Sequence, residues 1–198
     1  MTDQPVVDER SLALRAQDGD IEAFESLVDR SQGRLFRIAY MVVHDRADAE
    51  DVVQESLVLA WRRLHLLDDP AAFGGWVARI CSRTATDLVR RQARRATDAA
   101  EHQDLDLAAE PGEATLGGSA GSGSRDPART AEVNAQMEAL AGILTTVDPE
   151  LRACWVLREI DGMAYRDTAR ALDVSEQTVR GRISRARTQI VDRMEEWR

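Results

Sequence analysis

The sequence predicts an all-α protein, in which two small helical domains are joined by a flexible acidic linker. Apolar residues recur at helical spacing through most of the 198 residues, and strand-like alternation is hard to find. Residues 97–130 differ because they combine acids with a Gly/Ser run and cannot bury a core. We therefore expect helical domains over residues 20–96 and 131–198, preceded by a flexible N-terminus over residues 1–19.

Apolar stripes in the N-terminal domain predict three consecutive helices. The first helix begins at about Ile21, and the stripe of the second ends near His44. The third runs from about Asp48 to Leu64 and keeps a helical period throughout. These stripes give the domain enough apolar surface for a small helical core.

Two loop signals precede the fourth helix of this domain. Pro70 ends the third helical stretch, because proline removes a backbone donor and clashes with the preceding turn. Residues 73–75, Phe-Gly-Gly, predict a flexible connection. The last helix then runs from Trp76 into a cluster of arginines that ends at Arg95.

Residues 165–190 predict a helix-turn-helix. A short helix ends near Leu172, and the hydroxyl of Ser175 is suited to cap the next helix. One face of that second helix is apolar, through Val179, Ile183, Ala186 and Ile190. Its other faces are polar and mostly cationic, as in a helix that lies in a DNA major groove. The alternative interpretation is an ordinary helical hairpin with a solvated arginine face.

The distribution of charge favours DNA over the alternative. The net charge of −9 alone argues against nucleic-acid binding. However, residues 83–95 hold five Arg and one acid, and residues 180–187 hold four Arg and no acid. Because binding depends on the local field, both clusters can attract phosphates.

Composition excludes several classes of enzyme. All 26 basic residues are Arg, so a P-loop, a Schiff-base lysine and a kinase site are excluded. Residues 117–121 match the hydrolase nucleophile elbow around Ser119, but they lie in a Gly/Ser tract without a preceding strand. Cys81 and Cys154 are interpreted as buried apolar residues, and the three His show no metal spacing. We expect no metal, no cofactor, no membrane insertion and a cytoplasmic location.

Three motifs, each weak alone, occur in a fixed order. Residues 45–55 read Asp-Arg-Ala-Asp-Ala-Glu-Asp-Val-Val-Gln-Glu. Residues 76–80, Trp-Val-Ala-Arg-Ile, lead to Asp-Leu-Val-Arg-Arg at 87–91. Residues 157–162, Leu-Arg-Glu-Ile-Asp-Gly, lead to the arginines of 179–187. With these motifs the chain resembles the extracytoplasmic-function (ECF) sigma factors, the small promoter-recognition subunits of bacterial RNA polymerase.

The resemblance implies a role for each motif. The first would bind core polymerase, through Asp51, Gln54, Glu55, Leu57 and Trp61. The second would bind and open the minus-ten element, through Phe73, Trp76, Arg79, Arg83, Arg90 and Arg91. The third would read the minus-35 element, through Gln177, Arg180, Gly181, Ser184 and Arg185. Two of these positions depart from the family, which often has Asn in place of Arg83 and a hydroxyl residue in place of Gly181.

Each of these assignments has an alternative in which the residues are only structural. The acids of the first motif could belong to a solvated helix face beside a buried Trp61. Of Phe73 and Trp76, one is expected to be a core residue. For the whole protein, the rivals are a stand-alone helix-turn-helix regulator, a hydrolase using Ser119 and an adaptor that binds only protein.

The resemblance also implies partners. They are the clamp and flap regions of bacterial core polymerase, promoter DNA and a separate anti-sigma factor that holds both domains. The protein would not be an enzyme, because RNA synthesis belongs to the polymerase. The acidic linker is expected to run through the polymerase cleft.

Overall fold

A computed structural model describes residues 8–102 and 139–195, and every regular element in these ranges is helical. This confirms the all-α fold class. The N-terminal elements are α1 (Glu9–Gln17), α2 (Ile21–Val43), α3 (Arg46–Arg63) and α4 (Phe73–His102), with 3-10 turns at Leu64–Leu66 and Pro70–Ala72. The C-terminal elements are α5 (residues 139–145), α6 (Pro149–Trp155), a π-helical turn (Val156–Ile160), α7 (Tyr165–Leu172) and α8 (Glu176–Glu195).

The expectation of a flexible N-terminus is wrong from residue 9 onward. Asp8 caps α1 by accepting a hydrogen bond of 2.8 Å from the backbone N–H of Ser11. Leu12 and its apolar neighbours on α1 are buried in the core. Gln17 at the helix end donates to the carbonyls of Leu64 and Leu67, at 3.0 and 2.8 Å. These contacts fix α1 against the turn after α3. Residues 1–7 lie outside the described ranges.

The first two helices predicted from the sequence form one continuous helix, α2. The polar residues between the two stripes do not interrupt it, and buried Ser31 satisfies its hydroxyl within the helix by donating to the carbonyl of Leu27 at 2.7 Å. The helix ends at His44, which adopts a left-handed conformation with φ 59°. The predicted end of this stripe near His44 is therefore confirmed.

The predicted connection at residues 73–75 is the first turn of α4, so this expectation is also wrong. Phe73 is 1% exposed and anchors the turn in the core. Gly74 donates its N–H to Oε1 of Glu9 at 2.8 Å, and its carbonyl accepts from Arg34 at 3.1 Å. A Cβ at Gly74 would meet the Glu9 carboxylate at 3.3 Å, so this glycine permits a close approach between helices.

The linker prediction is wrong at its start, because residues 97–102 continue α4. Residues 103–130, the rest of the predicted linker, lie outside the described ranges. In the C-terminal part, the predicted cap of α8 is confirmed, since the hydroxyl of Ser175 accepts from the N–H of Thr178 at 3.1 Å. Asp173 before it is left-handed, with φ 54°, and makes the tight turn between α7 and α8.

The two helical units pack directly against each other, with α6 and α7 on α4 and the π-helical turn on α2. Arg34 of α2 holds Asp161 through two hydrogen bonds of 2.6 and 2.8 Å, and the Asp161 side chain is only 2% exposed. Arg79 and Arg90 of α4 lie 3.8 and 3.5 Å from acids of the C-terminal unit. We call this arrangement the closed arrangement.

Candidate protein and nucleic-acid interfaces

An exposed apolar groove lies between α2 and α3. It has a volume of about 730 Å³, and Gln54, Leu57 and Trp61 of α3 line it. Trp61 is 38% exposed, and its ring packs on Phe24 with centroids 4.8 Å apart. The alternative of a buried Trp61 is therefore wrong. We refer to this surface as the α2/α3 groove.

The opposite wall of the α2/α3 groove was not assigned from the sequence. It is formed by Ile21, Phe24 and Val28 of α2, with Val58 of α3 beside them. Ile21 is 62% exposed and Val58 50% exposed, which is unusual for apolar residues on helices that also contribute to a core. The available signal was the width of the apolar stripe that begins at Ile21, which exceeds what one core-facing side of a helix requires.

The two acids predicted to bind core polymerase are both exposed, but neither lines the α2/α3 groove. Glu55 faces away from the groove, toward a second cleft between α3, α4 and α7. Asp51 is exposed one turn before it on α3. The structure therefore places three of the five predicted polymerase-binding residues in the groove and the two acids outside its lining.

The second cleft, of about 650 Å³, is rich in arginine. Its cationic lining comes from three helices and consists of Arg63, Arg79, Arg83, Arg91, Arg94 and Arg170. Trp76 and Ile80 contribute an apolar part of the wall. Within the described residues, no ion pair forms to Arg83 or Arg91, so both guanidinium groups can meet phosphates. We call this surface the arginine cleft.

Two residues predicted for the minus-ten site lie apart from the arginine cleft. Phe73 packs edge-on against Phe24, with centroids 6.4 Å apart, and is buried in the core. It therefore cannot receive a base in this structure, which leaves half-buried Trp76 as the aromatic candidate. Arg90 points toward Glu150, which also pairs with Arg182 of α8.

Helix α8 presents a polar surface above a buried apolar stripe. The predicted stripe is confirmed, since Val179, Ile183, Ala186 and Ile190 are at most 7% exposed. The five residues predicted to read DNA are all exposed, namely Gln177, Arg180, Gly181, Ser184 and Arg185. A Cβ at Gly181 would meet nothing within 4 Å, so the fold itself does not require glycine there.

One aromatic contact of α8 was not assigned from the sequence. The guanidinium carbon of Arg180 lies 5.0 Å from the ring centroid of Tyr165, the first residue of α7. Arg158 of the π-helical turn lies 4.8 Å from the same centroid. These cation–π contacts join residues of different helical elements, so neither helical period nor charge clustering reveals them.

A buried polar pair lies where α2 meets the C-terminal unit. Burial, aided by the charge of Arg152, lowers the pKa of His44 to about 3, so this imidazole is neutral at physiological pH. Burial also lowers the pKa of Arg152 to about 10, although its Nη1 donates to the carbonyl of Leu144 at 3.2 Å. Both groups lie inside the closed arrangement.

The cysteines are structural. Burial raises the pKa of the Cys81 thiol to about 12, and its Sγ donates to the carbonyl of Leu35 at 3.5 Å. Burial also raises the pKa of Cys154. A thiol that stays protonated is a poor nucleophile and a poor metal ligand. Over the described ranges no group of three or more metal-ligating side chains occurs, and no helix is long and apolar enough to cross a membrane.

Comparison with known proteins identifies both units. Residues 27–95 match the family model of sigma-70 region 2, and residues 137–190 match that of sigma-70 region 4. The chain is 34% identical to the RNA polymerase sigma-H factor of Pseudomonas aeruginosa, across 92% of this chain and 91% of that protein. It is 31% identical to the ECF RNA polymerase sigma-E factor of Haemophilus influenzae, across 98% and 96% of the two chains.

Solved structures agree with the sequence matches. CnrH, in complex with the cytosolic domain of CnrY, superimposes with a TM-score of 0.63 and 27% identity, across 95% of this chain and 97% of that chain. The sigma factor RpoE of Bartonella quintana, in complex with NepR, has the same fold, with a TM-score of 0.61, 20% identity and coverage of 87% and 96%. The chain therefore belongs to the extracytoplasmic-function (ECF) sigma factors of RNA polymerase.

Proposed function

We propose that this sigma factor docks on core polymerase through the α2/α3 groove and reads promoters through α4 and α8. The observation that carries the proposal is the separation of three surfaces: an exposed apolar groove, an arginine cleft and the polar face of α8. The protein works in the cytoplasm on nucleoid DNA and is not itself an enzyme, since the polymerase performs the chemistry.

The α2/α3 groove suits the docking of an apolar helical partner from the clamp region of the polymerase. Trp61 and the exposed Val58 offer apolar area of the kind that dominates interface energy. Asp51 and Glu55 are exposed on α3 outside the groove lining and would attract basic residues of the partner. The flap region of the polymerase would hold the C-terminal unit.

The arginine cleft suits the opened minus-ten element. A flipped base stacked on Trp76 would gain about 1–3 kcal/mol. Arg79, Arg83 and Arg91 would follow the phosphates of the separated strand. Phe73 acts as the core anchor that holds Trp76 in place, with ring centroids 6.1 Å apart. Arg90 can join the DNA contacts only after leaving Glu150.

The closed arrangement cannot contact both promoter elements at once. About 25 base pairs separate them, which is roughly 85 Å of duplex at 3.4 Å per base pair. A compact protein of this length has a diameter of only about 40 Å. The two units must therefore separate on polymerase. An anti-sigma partner is proposed to stabilise the closed arrangement, in line with the complex of CnrH with CnrY.

The proposal predicts that the free protein binds duplex DNA weakly, with strong salt dependence and little sequence preference. In the closed arrangement Arg79 and Arg90 already face acids, and the contacts to DNA are split between two units. Gel-shift titrations with and without core polymerase check this expectation. Specific promoter binding should appear only with core. Nanomolar, sequence-specific binding by the free protein would instead support a stand-alone regulator.

Arg180→Ala and Arg185→Ala are each expected to relax base preference at one position of the minus-35 element. An arginine that reads guanine contributes about 1–3 kcal/mol at that base, whereas a phosphate contact weakens all sequences alike. Transcription from a randomised minus-35 library separates the two effects. Arg187→Ala is the matched control, because Arg187 on the same helix pairs with Glu159 at 2.9 Å. Unchanged preference in both variants would remove α8 as the reader.

A further inference from the structure

Tyr165 connects the start of α7 to the reading face of α8. Its half-buried ring lies within 5.0 Å of the guanidinium of Arg180, which otherwise extends into solvent with 66% of its side chain exposed. The ion-pair partner of this guanidinium is Glu176, at 4.0 Å on the same helix. At that distance and exposure, the acid restrains the arginine weakly. The ring is therefore the main feature that fixes where Arg180 points.

The ring also contacts a second guanidinium. Arg158 lies 4.8 Å from its centroid and donates from Nη1 to the carbonyl of Met163 at 3.1 Å. Met163 in turn donates its N–H to the carbonyl of Leu157 at 2.9 Å. The turn between them passes through Gly162, whose φ of 77° suits glycine. This short network connects the π-helical turn to the recognition helix.

Restraint of an arginine matters for base reading. A bidentate contact with guanine requires one orientation of the guanidinium plane, and a free side chain loses rotamer freedom in adopting it. A ring that already holds the group reduces that loss. We propose that Tyr165 is a positioning residue for minus-35 recognition, whose aromatic face orients Arg180. This inference rests on the proposed reading role of α8.

The test uses the full chain with core polymerase and a randomised minus-35 library. Tyr165→Phe keeps the aromatic face and removes the hydroxyl, whereas Tyr165→Leu keeps apolar bulk and removes the face. We expect Tyr165→Phe to keep the wild-type base preference. In Tyr165→Leu, the preference for one base over the others at the position that Arg180 reads should fall about two- to fivefold, as expected for a solvent-exposed cation–π contact.

Combination with Arg180→Ala gives the decisive comparison. If Tyr165 acts through Arg180, adding Tyr165→Leu to Arg180→Ala should cause no further loss of preference. A thermal melt of each variant reports on folding. If Tyr165→Leu is unstable, Tyr165→Met provides a second variant that fills the space without a ring.

Four outcomes would overturn the proposal. A uniform loss across all sequences in Tyr165→Leu would show a structural role, and an equal loss in Tyr165→Phe would show a role for the hydroxyl. If Arg180→Ala leaves base preference unchanged while Arg185→Ala alters it, α8 still reads the minus-35 element, but Arg180 is not a base-reading residue that Tyr165 could orient. If neither arginine variant alters preference, the assignment of α8 fails as well.

Discussion

Replacement of Val58 with arginine is expected to abolish binding of this sigma factor to core polymerase. Val58 is 50% exposed on the wall of the α2/α3 groove, beside Trp61. A charge placed there would be desolvated without a partner when an apolar helix docks, at a cost of several kcal/mol. A loss of about 3 kcal/mol corresponds to roughly a hundredfold weaker binding. The free protein should keep its stability, since substitutions at exposed positions usually change it by about 0.5 kcal/mol or less.

Co-elution with core polymerase and a thermal melt check this expectation. Val191→Arg is the matched control, because Val191 is 52% exposed on α8 and lies outside the groove. Asp51→Arg combined with Glu55→Arg tests the two acids of α3 separately and should weaken association mainly at low salt. Retention of core binding by Val58→Arg would place the docking surface elsewhere on the chain.

The sequence predicts an element well where the spacing of apolar residues along one helix determines it. The apolar stripe of α8 and its cap at Ser175 are both found in the structure, because each depends only on neighbouring residues. The exposure of the five reading residues follows from that stripe. The groove residues of α3 were assigned from the resemblance to the family, and the helical period could not show that Trp61 stays exposed.

Features that depend on distant residues were not predicted. Gly74 lies in a helix because Glu9 and Arg34 hold its backbone, and both are far away in the sequence. Phe73 was assigned to DNA, but it packs between helices that only the fold brings together. The closed arrangement includes the ion pair of Asp161, whose partner is 127 residues away. Such contacts carry no periodic signal along the chain.

Arg34→Ala is expected to open the closed arrangement. It would leave the Asp161 carboxylate, 2% exposed, without its charged partner. Removal of one partner from a buried ion pair costs about 3–5 kcal/mol while the other charge stays buried. Separation of the units returns Asp161 to water and relieves that cost. The equilibrium between the closed and the open form should therefore shift about a hundredfold toward the open form.

The exposure of the two partners also predicts which of the single substitutions opens the protein more. Asp161→Ala should open the protein less than Arg34→Ala, because the Arg34 side chain is 39% exposed and water can solvate it when its partner is removed. Arg187→Ala, which breaks an exposed pair with Glu159, should leave the protein closed. The radius of gyration from small-angle scattering, measured for the free protein at one ionic strength, ranks the variants.

Equal compactness of Arg34→Ala and the wild type would show that apolar packing alone holds the units together. Opening of Arg34→Ala together with stronger DNA binding would show that closure withholds the arginines of α4 from DNA.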